Sequence, residues 1–347
     1  MLQFLLEAVK FHKEKIAQKL KEIEIKEPTL PWKAVDLEEV KGCRIAAEDG
    51  SYNYREMRNF AFYVVASQVF FLDKKLDCLR SCDMDLLIPY KNVEERVKFY
   101  MYILESRISL KAISEFSPAI FLIDGSLLSI LGKQLSFSSL PPKDVRRKLD
   151  KRYAKILEKS IEAGEMGILS KRLWKEVKES FQEVAAQAMF YLEFLEHVIA
   201  FRKLLEKGKG KIVAVAKTSQ ASDYFRTGFP DIAIFERYTK GEGYSEPLIV
   251  DPPQSKILES RKLHKMKISI FYARLKHFSS VLKFEILGKV DEEQVKDLLR
   301  RVKGICVDGY PYLLKKAHSE TTIKDKDIER LMKVFGLIGK SGREMLD

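Results

Sequence analysis

The sequence predicts a mixed α/β domain, a central sheet flanked by helices, and three observations carry that reading. Strand-like segments follow one another between residues 43 and 90. A helical stretch comes next, and then AIFLID, a short apolar run of the kind that forms a strand buried on both faces. A second such run, KIVAVAK, follows a long helical region. Strands in series, helix, buried strand, helices and buried strand is the order of an α/β fold.

Each element has its own local reason. Residues 1–25 place Phe4, Leu5, Val9, Phe11 and Ile16 near helical spacing. A looser stretch with two prolines, EPTLPWKAVDLEEVKG, leads to CRIAAEDGS, which reads as a strand ending in a turn. There Ile45, Ala47 and Asp49 share one face, while Arg44, Ala46 and Glu48 share the other. NFAFYVVASQVFFL is β-rich, and DMDLLIPY is expected to pair with it, making three antiparallel strands. From Asn92 to about Ser114, Val97, Met101, Leu104 and Ile108 form a helical stripe. Helices are expected from Pro142 to about Leu205, read as an insertion or a dimer surface. MKISIFYARL and SVLKFEILG read as a hairpin, with helices over 291–302 and 324–336. The expected division is a helix and linker over 1–40, a main domain over 41–320 with its helical insertion at about 142–206, and a C-terminal helix over 321–347.

Composition narrows the function. The chain carries 62 Lys and Arg against 50 Asp and Glu, a formal net charge of +12. A basic surface favours polyanionic partners, since each phosphate neutralised releases condensed counterions. The longest apolar stretch, Phe60 to Leu72, contains Ser67 and Gln68 and is too short to span a bilayer as a helix. MLQFLLEAVKFHKEK reads as an amphipathic helix, not a signal peptide, so the expected location is the cytoplasm with no membrane partner. Its stripe of Leu2, Leu5, Leu6 and Val9 either packs on the chain's own core or docks a partner. The four cysteines do not form two close pairs, so reduced, half-buried thiols are expected instead of a zinc site. No GxxxxGK[ST] occurs, and KGKGK is a basic turn, so the chain is not expected to hydrolyse ATP.

Acids at the ends of apolar strands carry the chemistry. Asp49-Gly50-Ser51 follows one strand and Asp124-Gly125-Ser126 another. An inward carboxylate there is costly unless paired or bound to metal, and the following glycine allows close approach. One D-G is usually an ordinary turn; two, each ending a presumed core strand, argue for more. Glu105 borders the stripe of the 92–114 helix and completes a three-acid set. Clustered carboxylates suit hard cations such as Mn²⁺ and Mg²⁺, and a pair of such ions suits phosphodiester hydrolysis. Late in the chain, Tyr310 and His318 lie in GYPYLLKKAH, where Pro311 can start a helix. His318 is a candidate metal ligand or proton carrier, and Tyr310 a candidate base or phosphate contact. Lys217 ends KIVAVAK on the face of Val213 and Val215, a position from which to offset phosphate charge. The histidines at 12, 197, 264 and 277 have no motif around them and read as structural.

The series of D-G-S, a helical acid, I-D-G-S and G-Y-P-Y-x-L-x-x-A-H resembles the NurA family of nucleases, over about residues 43–320. The resemblance implies a ribonuclease-H-like core and manganese-dependent cleavage. It implies 5′→3′ exonuclease and single-strand endonuclease activities on DNA, a homodimer, and docking on a HerA-like hexameric ATPase. By family match, Asp49, Glu105 and Asp124 become the metal-binding acids, with Tyr310 and His318 completing the site. The rival readings are a ribonuclease-H-like nuclease of the junction-resolvase type and a DNA-binding scaffold without catalysis.

Overall fold

A computed structural model of the chain describes residues 3–22, 28–132, 135, 139–252 and 263–337. Leu2, residues 23–25 of the expected first helix and residues 338–347 lie outside these ranges. Helix α1 (Gln3–Glu22) precedes the short strand β1 (Trp32–Ala34). Three long strands follow as a meander: β2 (Ile45–Glu56), β3 (Ala61–Leu72) and β4 (Leu76–Leu87). Helix α2 (Val93–Phe116) then returns the chain to β5 (Ile120–Asp124). Helices α3 (Leu127–Leu131), α4 (Lys143–Glu162), α5 (Leu169–Arg172), α6 (Trp174–Phe181) and α7 (Ala185–Lys207) lead to β6 (Ile212–Ala216). Helix α8 (Asp231–Tyr238) and strands β7 (Gly243–Ser245) and β8 (Leu248–Val250) precede the hairpin of β9 (Ile268–Arg274) and β10 (Leu282–Leu287). The C-terminal part holds α9 (Glu292–Lys303), the two-residue strands β11 (Cys306–Val307) and β12 (Tyr310–Pro311), α10 (Tyr312–Thr321) and α11 (Asp325–Val334).

Ten strands form one sheet in the order β1-β7-β9-β10-β6-β5-β2-β3-β4, with β8 added against β9. The pairs β2–β5 and β5–β6 are parallel and the remaining pairs antiparallel, which makes the sheet mixed, as the sequence predicts. On β5, Phe121 and Ile123 face Phe99 of α2 and Phe194 and Val198 of α7. Ile120 and Leu122 face the opposite layer, with Val295 and Leu299 of α9 and Leu313 and Leu314 of α10. Both sheet faces are thus covered, which explains why AIFLID and KIVAVAK contain no alternation of apolar and polar residues.

One strand runs on where the sequence predicts a turn. Asp49-Gly50-Ser51 does not end β2; all three residues lie inside it, opposite Gln68, Ser67 and Ala66 of β3. The twelve-residue ladder to β3 carries the strand through the glycine, and Tyr52 and Tyr54 continue it with good β formers. What ends there is the parallel pairing with β5, whose last matched pair is Glu48 with Ile123.

Helix α7 packs along α2 and α4 and is buried over most of its length. By length and composition the helical run Trp174–Lys207 would pass for a membrane span, but most of it lies inside the fold. Glu193 and Glu196, three residues apart on one face of α7, are fully buried and paired with Arg96 at 2.7 Å and Arg107 at 2.8 Å on α2. Helix α1 contrasts with it, because Phe4, Leu5, Leu6, Val9, Phe11 and Ile16 are all exposed. Of the cysteines, all free, Cys82 is exposed and Cys43, Cys78 and Cys306 half-buried.

Candidate metal centre

Strand register brings the acids together. Ile45, Ala47 and Asp49 alternate onto the face that looks at α10, as do Ile120, Leu122 and Asp124 one strand over. Asp124 is the last residue of β5, as expected from the sequence. Gly125 follows at φ +121°, a conformation that favours glycine. Ser126 then caps α3, its Oγ accepting from the Ser129 amide at 3.0 Å. The same hydroxyl donates to Glu285 at 2.7 Å, and the Leu128 amide donates to the other oxygen of Glu285 at 3.0 Å. Glu285, fully buried on β10 and paired with Lys283 at 2.8 Å, therefore clamps the loop that leaves Asp124.

Helix α10 crosses β2 and delivers His318, whose Nδ1 lies 2.9 Å from Asp49 Oδ2. The other Asp49 oxygen accepts from the Gly50 amide at 2.9 Å. Ligand atoms of Asp49, Asp124 and His318 all lie within 4.8 Å of one another. Lys217, one residue beyond β6, stands 3.6 Å from Asp124 and 4.4 Å from the centre of the Tyr310 ring. The Tyr310 hydroxyl is buried with no hydrogen-bond partner among the described residues. Five of the six residues singled out in the sequence thus converge on one corner of the sheet.

Glu105 stands beside that group. It rises from α2 on the other face of β2, against Gly50 and next to Glu48. Glu48 is a site feature the sequence reading leaves without a role. It is buried, and one of its carboxylate oxygens has no hydrogen-bond partner among the described residues. Together with Glu105 and the core histidine His197 it lines a small cavity. An acid directly after the apolar run IAA, within the same strand, is the signal that marks it.

The electrostatics suit a cation. Burial, and then the neighbouring Asp124, push the Asp49 carboxyl up to about 6, against the opposing contact with His318. Burial likewise raises Asp124, with Lys217 opposing it. Glu48 is raised well above the usual carboxylate range by burial and then by Glu105. Tyr310 is raised by burial and by both aspartates. Acids held this close in a poorly solvated place favour either a proton or a positive ion. Two carboxylates and an imidazole form a donor set that fits Mn²⁺, and the oxygens fit Mg²⁺.

Comparison with known proteins decides the family, since the model of the NurA domain matches residues 43–323. The chain belongs to the NurA family. Among curated relatives, the probable DNA double-strand break repair nuclease NurA of Methanocaldococcus jannaschii is 27% identical, covering 100% of this chain and 92% of its own length. The crystal structure of the NurA nuclease from Sulfolobus solfataricus superposes with a TM-score of 0.73 at 24% identity, covering 97% of each chain. A crystal structure of NurA bound to dAMP and manganese gives a TM-score of 0.65 at 15% identity, covering 99% of this chain and 97% of that one. The likeness to these NurA structures extends across the mixed sheet and both helical layers.

Proposed function

We propose that this NurA-family chain hydrolyses DNA at the corner formed by Asp49, Asp124 and His318, trimming ends 5′→3′ and cutting single strands in double-strand break repair. The chain is a metal-dependent nuclease, with manganese or magnesium as its cofactor. One observation carries the assignment of the site: two half-buried aspartates on adjacent parallel strands share a 4.8 Å cluster with an imidazole. When bound, a pair of divalent ions supplies an activated water and neutralises the charge developing on the phosphate.

The chain's own residues supply the rest. Asp49, Asp124 and His318 hold cation, and Glu105, packed against Gly50, completes the acidic set. Lys217 offers positive charge to a phosphate oxygen. The Tyr310 hydroxyl, without a partner among the described residues, has a proton to donate, since burial and both aspartates disfavour its ionisation. The basic excess supports DNA as the substrate.

The lack of a GxxxxGK[ST] motif supports a separate motor, a HerA-like hexameric ATPase, as the partner. The exposed apolar side chains of α1 support a homodimer or that docking contact, in the cytoplasm. End-labelled DNA incubated with Mn²⁺, and again after EDTA, tests the reading. Cleavage should require the ion, and undiminished cleavage after rigorous chelation would overturn it. Preference for branched over linear DNA would favour the resolvase alternative.

A further inference from the structure

The hairpin that joins β9 to β10 places an aromatic side chain at the same rim of the sheet as the metal centre. Lys283, near the start of β10, lies opposite Ala216, the last residue of β6, and Lys217 follows directly. Val215 of β6 in turn lies opposite Asp124. The tip, residues 275–281, therefore projects from the strand ends that carry Asp124 and Lys217.

At that tip Phe278 is 81% exposed, the most exposed aromatic outside α1 among the described residues. Its backbone is also unusual, with φ at +59°, a left-handed conformation that a bulky residue adopts only at an energetic cost. Surrounding contacts hold the tip in this shape. The Phe278 amide donates to the Lys240 carbonyl at 3.1 Å, and the Ser279 amide to the Lys276 carbonyl at 3.0 Å. The Val281 amide donates to Glu236 at 2.6 Å, His277 lies 3.3 Å from Asp36, and Lys276 pairs with Asp308 at 2.8 Å. Ser279 also sits so close to Gly309 that a Cβ there would overlap it. Gly309 directly precedes Tyr310, so tip and metal centre share one support.

Water would ordinarily disfavour this display of a phenyl ring, and among the described residues its one ring contact is with the adjacent His277, 6.4 Å between centroids. We propose that Phe278 is a stacking platform for an unpaired nucleobase of the DNA strand entering the site. The occupant follows from the position: the tip shares its support with the metal centre, and Lys217, Lys240 and Lys276 lie there among Asp36, Glu236 and Asp308, with Lys276 paired to Asp308 and Lys217 beside Asp124. A projecting aromatic next to a phosphodiester-cleaving site, with lysines at hand, suits single-stranded nucleic acid. Stacking is tolerant of sequence because every base has a π face, which matches an enzyme that must accept any end. The inference rests on the nuclease reading above for its substrate, and its test is independent of cleavage.

Affinity for a fluorescent oligo-dT strand, measured in EDTA so that no turnover occurs, provides that test. Phe278→Ala should weaken binding about tenfold or more. Its dependence on salt should keep the original slope, because no phosphate contact is removed. Phe278→Trp should retain affinity, and its added indole emission should be quenched by the oligomer. Equal melting temperatures of the variants and the unaltered chain separate lost stacking from lost folding. Unchanged affinity in Phe278→Ala, or unquenched emission in Phe278→Trp, overturns the inference, even if the alanine variant instead loses a protein contact. A chain that fails to cleave yet shows the Phe278 effect would count against the nuclease reading alone.

Discussion

The Glu105 carboxylate lies in the space that a Cβ on Gly50 would need. Gly50 is in mid-strand and has no left-handed backbone, so its lack of a side chain serves Glu105 and not a turn. Gly50→Ala should displace the acid while leaving the β2–β3 ladder intact, because the end of a flexible side chain moves more easily than backbone. We expect cleavage to fall at least about tenfold with a stability loss under about 1 kcal/mol, within the range for a tolerated small substitution. Activity near that of the unaltered chain would show that Glu105 has no role in the site.

The two aspartates should separate chemistry from affinity. Asp49→Ala and Asp124→Ala each remove a carboxylate from the shared cluster but no basic residue. Cleavage of end-labelled DNA should be abolished, while binding measured by gel shift should persist, since phosphate contacts come from lysines and arginines. Near-normal turnover in either variant would remove the metal centre from this corner of the sheet.

Part of this site is legible in the sequence because strand residues two apart share a face, which groups Asp49 with Ile45 and Ala47, and Asp124 with Ile120 and Leu122. That the two faces coincide follows from the parallel β2–β5 register, which the unbroken apolar run of AIFLID does not reveal. The continuation of β2 past Gly50 is not legible, because D-G-S has the same composition in a turn and in a ladder whose partner strand is long enough to pair with it. The Ser126–Glu285 contact spans residues 159 apart and has no local signature. The pairing of Glu193 and Glu196 with arginines on another helix is equally invisible, although their position in an apolar helix hints that something must neutralise them.

Those pairs yield a stability prediction. Arg96 is buried, donates to both oxygens of Glu193 at 2.7 Å, and also donates to the Ile88 carbonyl at 3.2 Å. Arg96→Met leaves Glu193 charged and unpaired in the core, which costs roughly 3–5 kcal/mol. Chemical denaturation should register a loss of that size, and Arg96→Met combined with Glu193→Leu should recover a large part of it. A double variant no more stable than the single one would mean that packing, not the stranded charge, sets the cost.

The raised Asp49 carboxyl gives a pH dependence of definite sign. An aspartate whose value rises from 3.8 to about 6 on folding binds its proton more tightly in the folded chain. The stability this contributes is fully present below about pH 4 and is lost as pH climbs through about 6. Above that range the ion-free protein carries a half-buried negative charge beside Asp124, only partly offset by His318 and Lys217. Asp49→Asn should therefore raise the melting temperature in EDTA at pH 8, by the equivalent of up to about 3 kcal/mol, and have little effect at pH 4. Loss of the charge-assisted contact to His318 reduces the gain. Added Mn²⁺ should reverse the order at pH 8, because the ion stabilises the carboxylate form in proportion to its occupancy and the amide binds it poorly. An equal shift at both pH values would exclude Asp49 ionisation as the cause, and a failure of Mn²⁺ to favour the aspartate would argue against Asp49 as its ligand.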